Sequence, residues 1–427
     1  MAGGVFITLL IFYKTLIVGF TRVAYFIHHV KDKEGEKTRN RILNFFPHVL
    51  AVTVLTATVI MLIFPYESSE YRRYATDTLQ YVRGTVTGVI SEELEESDLG
   101  TGQLLGEQTL EIRLSDGNTI ETENYLTEIH NIYATVGEKI IVCVDAPEGV
   151  EPYYTVFNYD RTAAIICLIL AFLTLMAIVG RGKGVYAALA LIFTVVLVVQ
   201  WALPLLYDGH SPMLIGFTVV LLSTVVTIGL LHGVSVQGFL STAVTLAGEA
   251  AACVLFGIFS DMLHITGFQT DSAEGLLLIA QNAGLKITTL LFAATMIASL
   301  GAVMDVAVSL ISAMKEIAQA TERPTAVGLF KAGMNIGRDM IGTMSNTLIF
   351  AFTGGALTTM LVFYSYGVQL HQLLSSDYLA VELAQGLCGT AAVILTVPVA
   401  AVAGAAVYSR IDGSDGKQKN KARRKVS

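Results

Sequence analysis

The chain reads as an α-helical polytopic membrane protein of about eight or nine spans, with a small extracytoplasmic β-rich domain inserted after the first firm span. Three observations predict this. Of its 427 residues, 53% are hydrophobic and only 15% are charged, against roughly 25% charged in soluble domains. Several apolar runs reach the ~20 residues that cross a bilayer. The net charge of −8 is also unevenly spread: residues 66–160 hold 19 acidic and 5 basic residues, the remainder 16 acidic and 22 basic. One acidic, polar domain is therefore carried on a mildly basic membrane body.

Residues 1–44 form an apolar helix followed by a basic loop. The apolar part, 3–27, encloses Lys14, so it either spans the membrane or lies in the interface as an amphipathic helix. No small-residue cleavage site follows it, and it is read as retained. The stretch HHVKDKEGEKTRNR is basic and expected to be cytoplasmic. A firm span then covers 45–65 and is closed by Pro65.

The polar domain, 66–160, has strand texture. Tyr81–Ile90 is β-branched and alternating, and Thr109–Leu114 and Thr119–Glu123 flank SDGN, an Asp-Gly hairpin signal. Thr135–Val144 and Tyr153–Tyr159 read as further strands, and Glu92–Asp98 as an acidic loop. Fewer than a hundred residues of this kind suit a small β-barrel or sandwich, OB-like in outline. Cys143 is the only one of four cysteines in this domain, which excludes a disulfide within it.

Seven spans are predicted in the membrane domain, 161–409: 162–180, 184–206, 213–232, 238–259, 286–305, 340–364 and 380–408. Amphipathic helices are expected over 271–284 and, broken at Pro324, over 306–337. With the 410–427 tail inside, the inner segments after the polar domain carry thirteen Lys and Arg, and the outer short loops carry only Lys286. This positive-inside pattern makes the C-terminus cytoplasmic and the 66–160 domain extracytoplasmic.

Ionisable groups inside spans are the candidates for function. Glu249 sits mid-span between Gly248 and Ala250. It reads either as a proton carrier or cation ligand, or as a hydrogen-bonded structural acid. Asp305 closes one span, and Arg338 and Asp339 open the next at similar depth, so an Asp305–Arg338 pair is expected, static or gating. On a helical wheel Asn335, Asp339, Gly342 and Asn346 share one face. Gly333 and Gly337 form a GxxxG pair for close helix packing, with Gly342 as a further packing glycine. That polar face suits either a hydrated path or a tight helix contact. His232 and His264 lie at span ends and read as structural.

No nucleotide loop, H-E-x-x-H or G-x-S-x-G motif occurs, so nothing points to an enzyme. No cofactor, metal site or nucleic-acid partner is expected. The expected partners are the lipid bilayer and a membrane or cytoplasmic protein, and the oligomeric state stays open.

The stretches IAQNAGLKITTLLFAATMIASLGAVMDVAVSLISAMKEI (279–317) and GMNIGRDMIGTMSNTLIFAFTGG (333–355) resemble the YibE/F-like family of bacterial membrane proteins. The layout of one span, an external β-rich domain and a cluster of spans is similar as well. The resemblance covers roughly 45–408, and the extra N-terminus, 1–44, departs from the simpler layout. It implies a plasma-membrane location with the external domain facing the wall, and no settled activity. Asp305, Asn335, Arg338, Asp339 and Asn346 carry over as motif positions. The leading functional expectation is a permease or transporter of a small solute or ion. The alternatives are a scaffold or sensor whose β-domain binds a wall component or partner, and the membrane subunit of a larger complex.

Overall fold

The computed structural model describes residues 33–66, 78–266 and 287–410, with side chains from Phe45 onward. The apolar stretch 3–27, the helix expected over 271–284 and the KQKNKARRK tail lie outside the described residues. By internal contacts the chain divides into Arg72–Leu175 and a second unit made of Met1–Tyr71 with Met176–Ser427.

In the first unit, five antiparallel strands form one sheet in the order β3-β2-β1-β4-β5. They are β1 (Leu79–Glu96), β2 (Leu104–Leu114), β3 (Thr119–Leu126), β4 (Lys139–Asp145) and β5 (Tyr153–Tyr159). The 18-residue β1 is the spine: its first half pairs with β4 and its second half with β2. Two register shifts in the β1–β2 ladder, at Val86/Gly88 and Val89/Ser91, bend the sheet. The bend brings β3 to β5, where the Thr122 hydroxyl donates to the Tyr154 carbonyl at 2.6 Å. Inward residues Val86, Leu110, Ile112, Ile140, Val142 and Val156 fill the core.

The SDGN turn forms as its chemistry requires. Gly117 adopts φ 93°, and the Asp116 carboxylate accepts from the Asn118 backbone N–H at 2.9 Å. Two expectations need correction. Glu92–Glu96 is strand, not loop, because it ladders with Leu104–Gln108, and an exposed strand end needs no apolar side chains. Conversely β4 begins at Lys139 rather than Thr135, because Gly137, at φ 94°, makes a turn before it.

The segment between β3 and β4 is pinned by a buried amide pair. Asn124 donates to the Ile132 carbonyl at 2.7 Å and to Gln108 Oε1 at 3.1 Å. Gln108 in turn donates to the Ala134 carbonyl and accepts from the Ala134 N–H.

In the helical unit and the stretch leading into it, seven helices among the described residues are long and apolar enough to cross a membrane. They lie within α1 (Lys33–Ile63), α2 (Thr162–Leu197), α4 (Pro212–His232), α5 (Val236–Met262), α6 (Ile287–Ala320), α7 (Ala326–Ser365) and α9 (Asp377–Tyr408). Short helices α3 (Leu203–Tyr207) and α8 (Leu370–Leu374) complete the set. The predicted spans 162–180 and 184–206 run together, through a π turn at Val198–Ala202, as one 46-residue apolar stretch. The helix is nonetheless interrupted at Arg181 (φ 51°, ψ −136°), between two glycines. A Cβ on Gly184 would lie 2.0 Å from the Met176 carbonyl oxygen. Residues eight apart in a straight helix are ~12 Å apart, so the chain turns sharply here and only glycine fits.

The stretch 306–337 also differs from expectation. Nothing after Asp305 breaks the helix, so α6 continues to Ala320, and α7 starts at Ala326 and runs unbroken to Ser365. Only the turn at Pro324 is as expected; the amphipathic segments are extensions of two long helices.

Two outcomes follow for the β-domain. Asn124→Ala strands the Ile132 carbonyl and removes one of the two donors to Gln108 Oε1, costing about 1–3 kcal/mol. Hydrogen exchange across 127–138 is expected to speed up accordingly, and unchanged protection there would contradict this role. Asp160 is held below the usual carboxylate range first by hydrogen bonds from Thr162 and then by Arg83, whose Nε lies 3.3 Å from Oδ2. Its contribution is therefore full above pH ~4 and is lost as pH falls through the lowered value. Asp160→Asn should flatten the acid limb of unfolding below about pH 4, a prediction that identical acid limbs in the two proteins would refute.

Candidate functional site

Glu249 is the central residue of α5 and is only 1% exposed. Its helix reaches α6 and α9 closely because Gly248 lacks a side chain. A Cβ there would stand 2.3 Å from Thr396 Oγ1 on α9 and 2.7 Å from Val303 Cγ1 on α6. On the other side of the crossing, Gly389 of α9 faces the Ser299 Cβ. Three helices thus close around one carboxyl group.

The Ser299 hydroxyl lies 2.9 Å from Glu249 Oε2, and also 3.0 Å from the Thr295 carbonyl. Glu249 Oε1 has no hydrogen-bond partner. A serine between a carboxyl and a carbonyl accommodates both charge states. It donates to the carboxylate when Glu249 is ionised. When Glu249 is protonated on Oε2, Ser299 accepts from it and donates to Thr295 instead. Around this pair, Thr245, Thr295, Thr390 and Thr396 are buried and return their hydroxyl protons to their own helix four residues back. Their lone pairs remain available. The buried Ser241 hydroxyl is unpartnered.

The α7 candidates lie elsewhere. Gly333 and Gly337 are buried, and a Cβ on either would press on Met314 of α6 or on Val397 of α9, at 2.8 and 2.2 Å. Asn335, Arg338, Asp339, Gly342 and Asn346 fall on the remaining surface of α7 and are exposed. Arg338 donates to Asn335 Oδ1 at 3.4 Å. Gly342 has nothing within 4 Å of a built Cβ, so it packs against nothing in this chain.

Asp305 is also exposed. Among the described residues no ion pair joins it to Arg338, and the Asp305–Arg338 contact expected from the sequence is absent. The two groups sit on helices that meet lower down, at Met314 and Gly333. The structure therefore separates the candidates into a buried centre at Glu249 and a surface strip made of Asp305 and the α7 face. A charge facing lipid costs roughly 2.5–3.5 kcal/mol on insertion scales, which gives the strip physical weight.

Sequence reasoning missed Ser299, whose only signal was one more hydroxyl in a run that also carries Thr288, Thr289 and Thr295. It also missed a polar junction at the α4–α5 corner. There Lys315 donates to Gln237 Oε1 at 3.1 Å, and the Gln237 amide reaches His232 and Ser312. Among the described residues no group of three His, Cys, Asp or Glu could hold a metal ion.

Among curated proteins and among solved structures, none matches this chain. The YibE/F-like protein family matches residues 168–410, more than half of the chain and the whole of the region that holds Glu249 and the α7 strip. The chain belongs to the YibE/F-like family.

Proposed function

We propose that this protein is a bacterial plasma-membrane permease for a small solute or ion, in which Glu249 is the group that binds a proton or a small cation in transit. The observation that carries the reading is the Glu249–Ser299 pair, with Oε1 unpartnered and the serine able to reverse its hydrogen bond. Buried carboxyls among helices with hydroxyl neighbours are how membrane proteins hold transported protons. A permanently neutral structural acid would gain nothing from a reversible donor. In this reading the C-terminus is cytoplasmic and the β-domain external, following the Lys/Arg asymmetry.

The test is proton and monovalent-cation flux in proteoliposomes loaded with a pH-sensitive dye. Glu249→Gln keeps the shape and the Ser299 bond but cannot ionise, and should lower flux at least tenfold. Ser299→Ala should lower it less. Flux unchanged in Glu249→Gln would remove Glu249 from the mechanism.

One observation favours a second reading, a sensor or scaffold acting through the β-domain. An open cavity of about 410 Å³ is lined by Thr109, Glu121, Thr122, Glu123, Pro152, Tyr153 and Tyr154, on the seam where β3 meets β5. The strand order with β1 central supports an OB-like barrel, a fold whose open face binds oligomeric ligands. The rim carries two carboxylates, Glu121 and Glu123, and the nearby Tyr125 phenol is pushed up to about 12, first by its hydrogen bond to Glu123. Its occupant would be a wall fragment or partner carrying an amine. Calorimetric titration of the purified protein with amine-bearing wall fragments should give saturable heat that Tyr153→Ala weakens about tenfold. Absence of heat at millimolar ligand would dispose of it.

A further inference from the structure

The heights of the helices can be carried from one to the next through their contacts. Helix α4 has 21 residues and rises about 31 Å, which matches one hydrocarbon layer of roughly 30 Å. Near its start, Gly216 abuts Ala293 of α6, and its last residue, His232, shares the Gln237 amide with Ser312 of α6. The layer therefore covers α6 from near residue 289 to near residue 309. Asp305 falls inside it. Helix α7 returns antiparallel through the short turn at 321–325, with Gly333 against Met314. Counting equally from that contact along both helices puts Gly342 at the height of Asp305, Asn346 deeper, and Asp339 just within the layer.

Asp305, Asp339 and Asn346 are nevertheless exposed on the surface of the chain. Among the described residues, neither Asp305 nor Asp339 has a hydrogen bond or ion pair. Acyl chains supply no donors and no counter-charge, so lipid cannot be what covers this strip.

We infer that the strip formed by Arg338, Asp339, Gly342 and Asn346 on α7 is a dimer interface that a second copy of this chain covers. Three features select a copy of the chain rather than another protein. A two-fold axis along the membrane normal sets the two α7 helices parallel, so every residue meets its counterpart at equal depth. Arg338 and Asp339 are adjacent, so at that depth each guanidinium meets the partner's carboxylate and all four charges are matched. An asparagine carries both a donor and an acceptor, so Asn346 is complementary to itself. Gly342, four residues from Asn346, removes the side chain where the two backbones approach. The inner face of α7 is already committed, through Gly333 and Gly337, to α6 and α9. The polar face is left for the partner.

The experiment uses single-cysteine variants of the full-length chain, with Cys143, Cys167, Cys253 and Cys388 replaced by serine, oxidised in native membranes. Gly342→Cys and Asn346→Cys should give a disulfide between two differently tagged copies. Phe239→Cys, on the exposed side of α5, should give none. Without oxidation, Arg338→Asp and Asp339→Arg should each cut the dimer fraction at least tenfold in native mass spectrometry, and the double swap should restore it. A folded Asn346→Cys protein that stays monomeric, or that cross-links to another polypeptide or within its own chain, overturns the inference. If the charge variants fail to accumulate, the cysteine pair alone decides. Proton flux is not part of the readout, so loss of the Glu249 reading would leave this result standing.

Discussion

Close approach to helix α9 is the constraint on which the helical unit depends, and it is granted by missing side chains. Gly248 of α5 meets Thr396, Gly337 of α7 meets Val397, and Gly333 of α7 meets Ala401. The helix contributes three glycines of its own: Gly386 faces Phe352, Gly389 faces Ser299, and Gly404 admits the Met314 sulfur. In a bilayer, burying apolar surface drives little association, because acyl chains are as apolar as the side chains. Contact dispersion at short range has to do that work instead. A Cβ at Gly337 would come within 2.2 Å of Val397, so these notches fix each helix in height and rotation against α9.

Once those notches are set, the placement of the Glu249 centre and of the α7 strip follows. On α5, the pressing of Gly248 into α6 and α9 carries the next residue, Glu249, into the same crossing, where Ser299 is the donor it finds. On α7, Gly333 and Gly337 occupy the inward stripe, and the helical period then turns Asn335, Asp339, Gly342 and Asn346 outward. The interior carboxyl and the exterior strip thus have one origin. Glycine spacing decides which face of a helix is inside when both faces are otherwise apolar.

This also explains what could be read from the sequence. The hairpin at Asp116–Gly117, the turn at Pro324 and the break at Arg181 between Gly180 and Gly182 were legible, because each is local backbone chemistry. The grouping of Asn335, Asp339, Gly342 and Asn346 on one face was legible too, since it needs only the helical repeat. Whether that face points inward was not. In a soluble protein polar means outside, but a lipid-facing helix gives no such sign, and the inward reading of Gly342 came from that ambiguity. Ser299 was illegible for a related reason: its role exists only because α6 is brought to α5 by glycines elsewhere in the chain. In the β-domain, the acidic run Glu92–Glu96 looked like a loop because strand propensity speaks for half-buried surfaces, and this one is an exposed continuation of β1.

The two polar centres differ in whether one chain can satisfy them. Glu249 needs a single partner that adapts to its charge, and Ser299, poised between the carboxyl and the Thr295 carbonyl, provides it. Arg338 and Asp339 cannot satisfy each other in the same way. Consecutive residues on a helix diverge by about 100°, so they do not face one another. Arg338 turns back to Asn335 instead, and Asp339 is left with its charge directed away from the bundle. The chain therefore gives Glu249 Oε2 a reversible partner from within and leaves its surface chemically unfinished along one line. That line holds a base, an acid, a glycine and an amide in the order that a parallel copy of the same helix would complete.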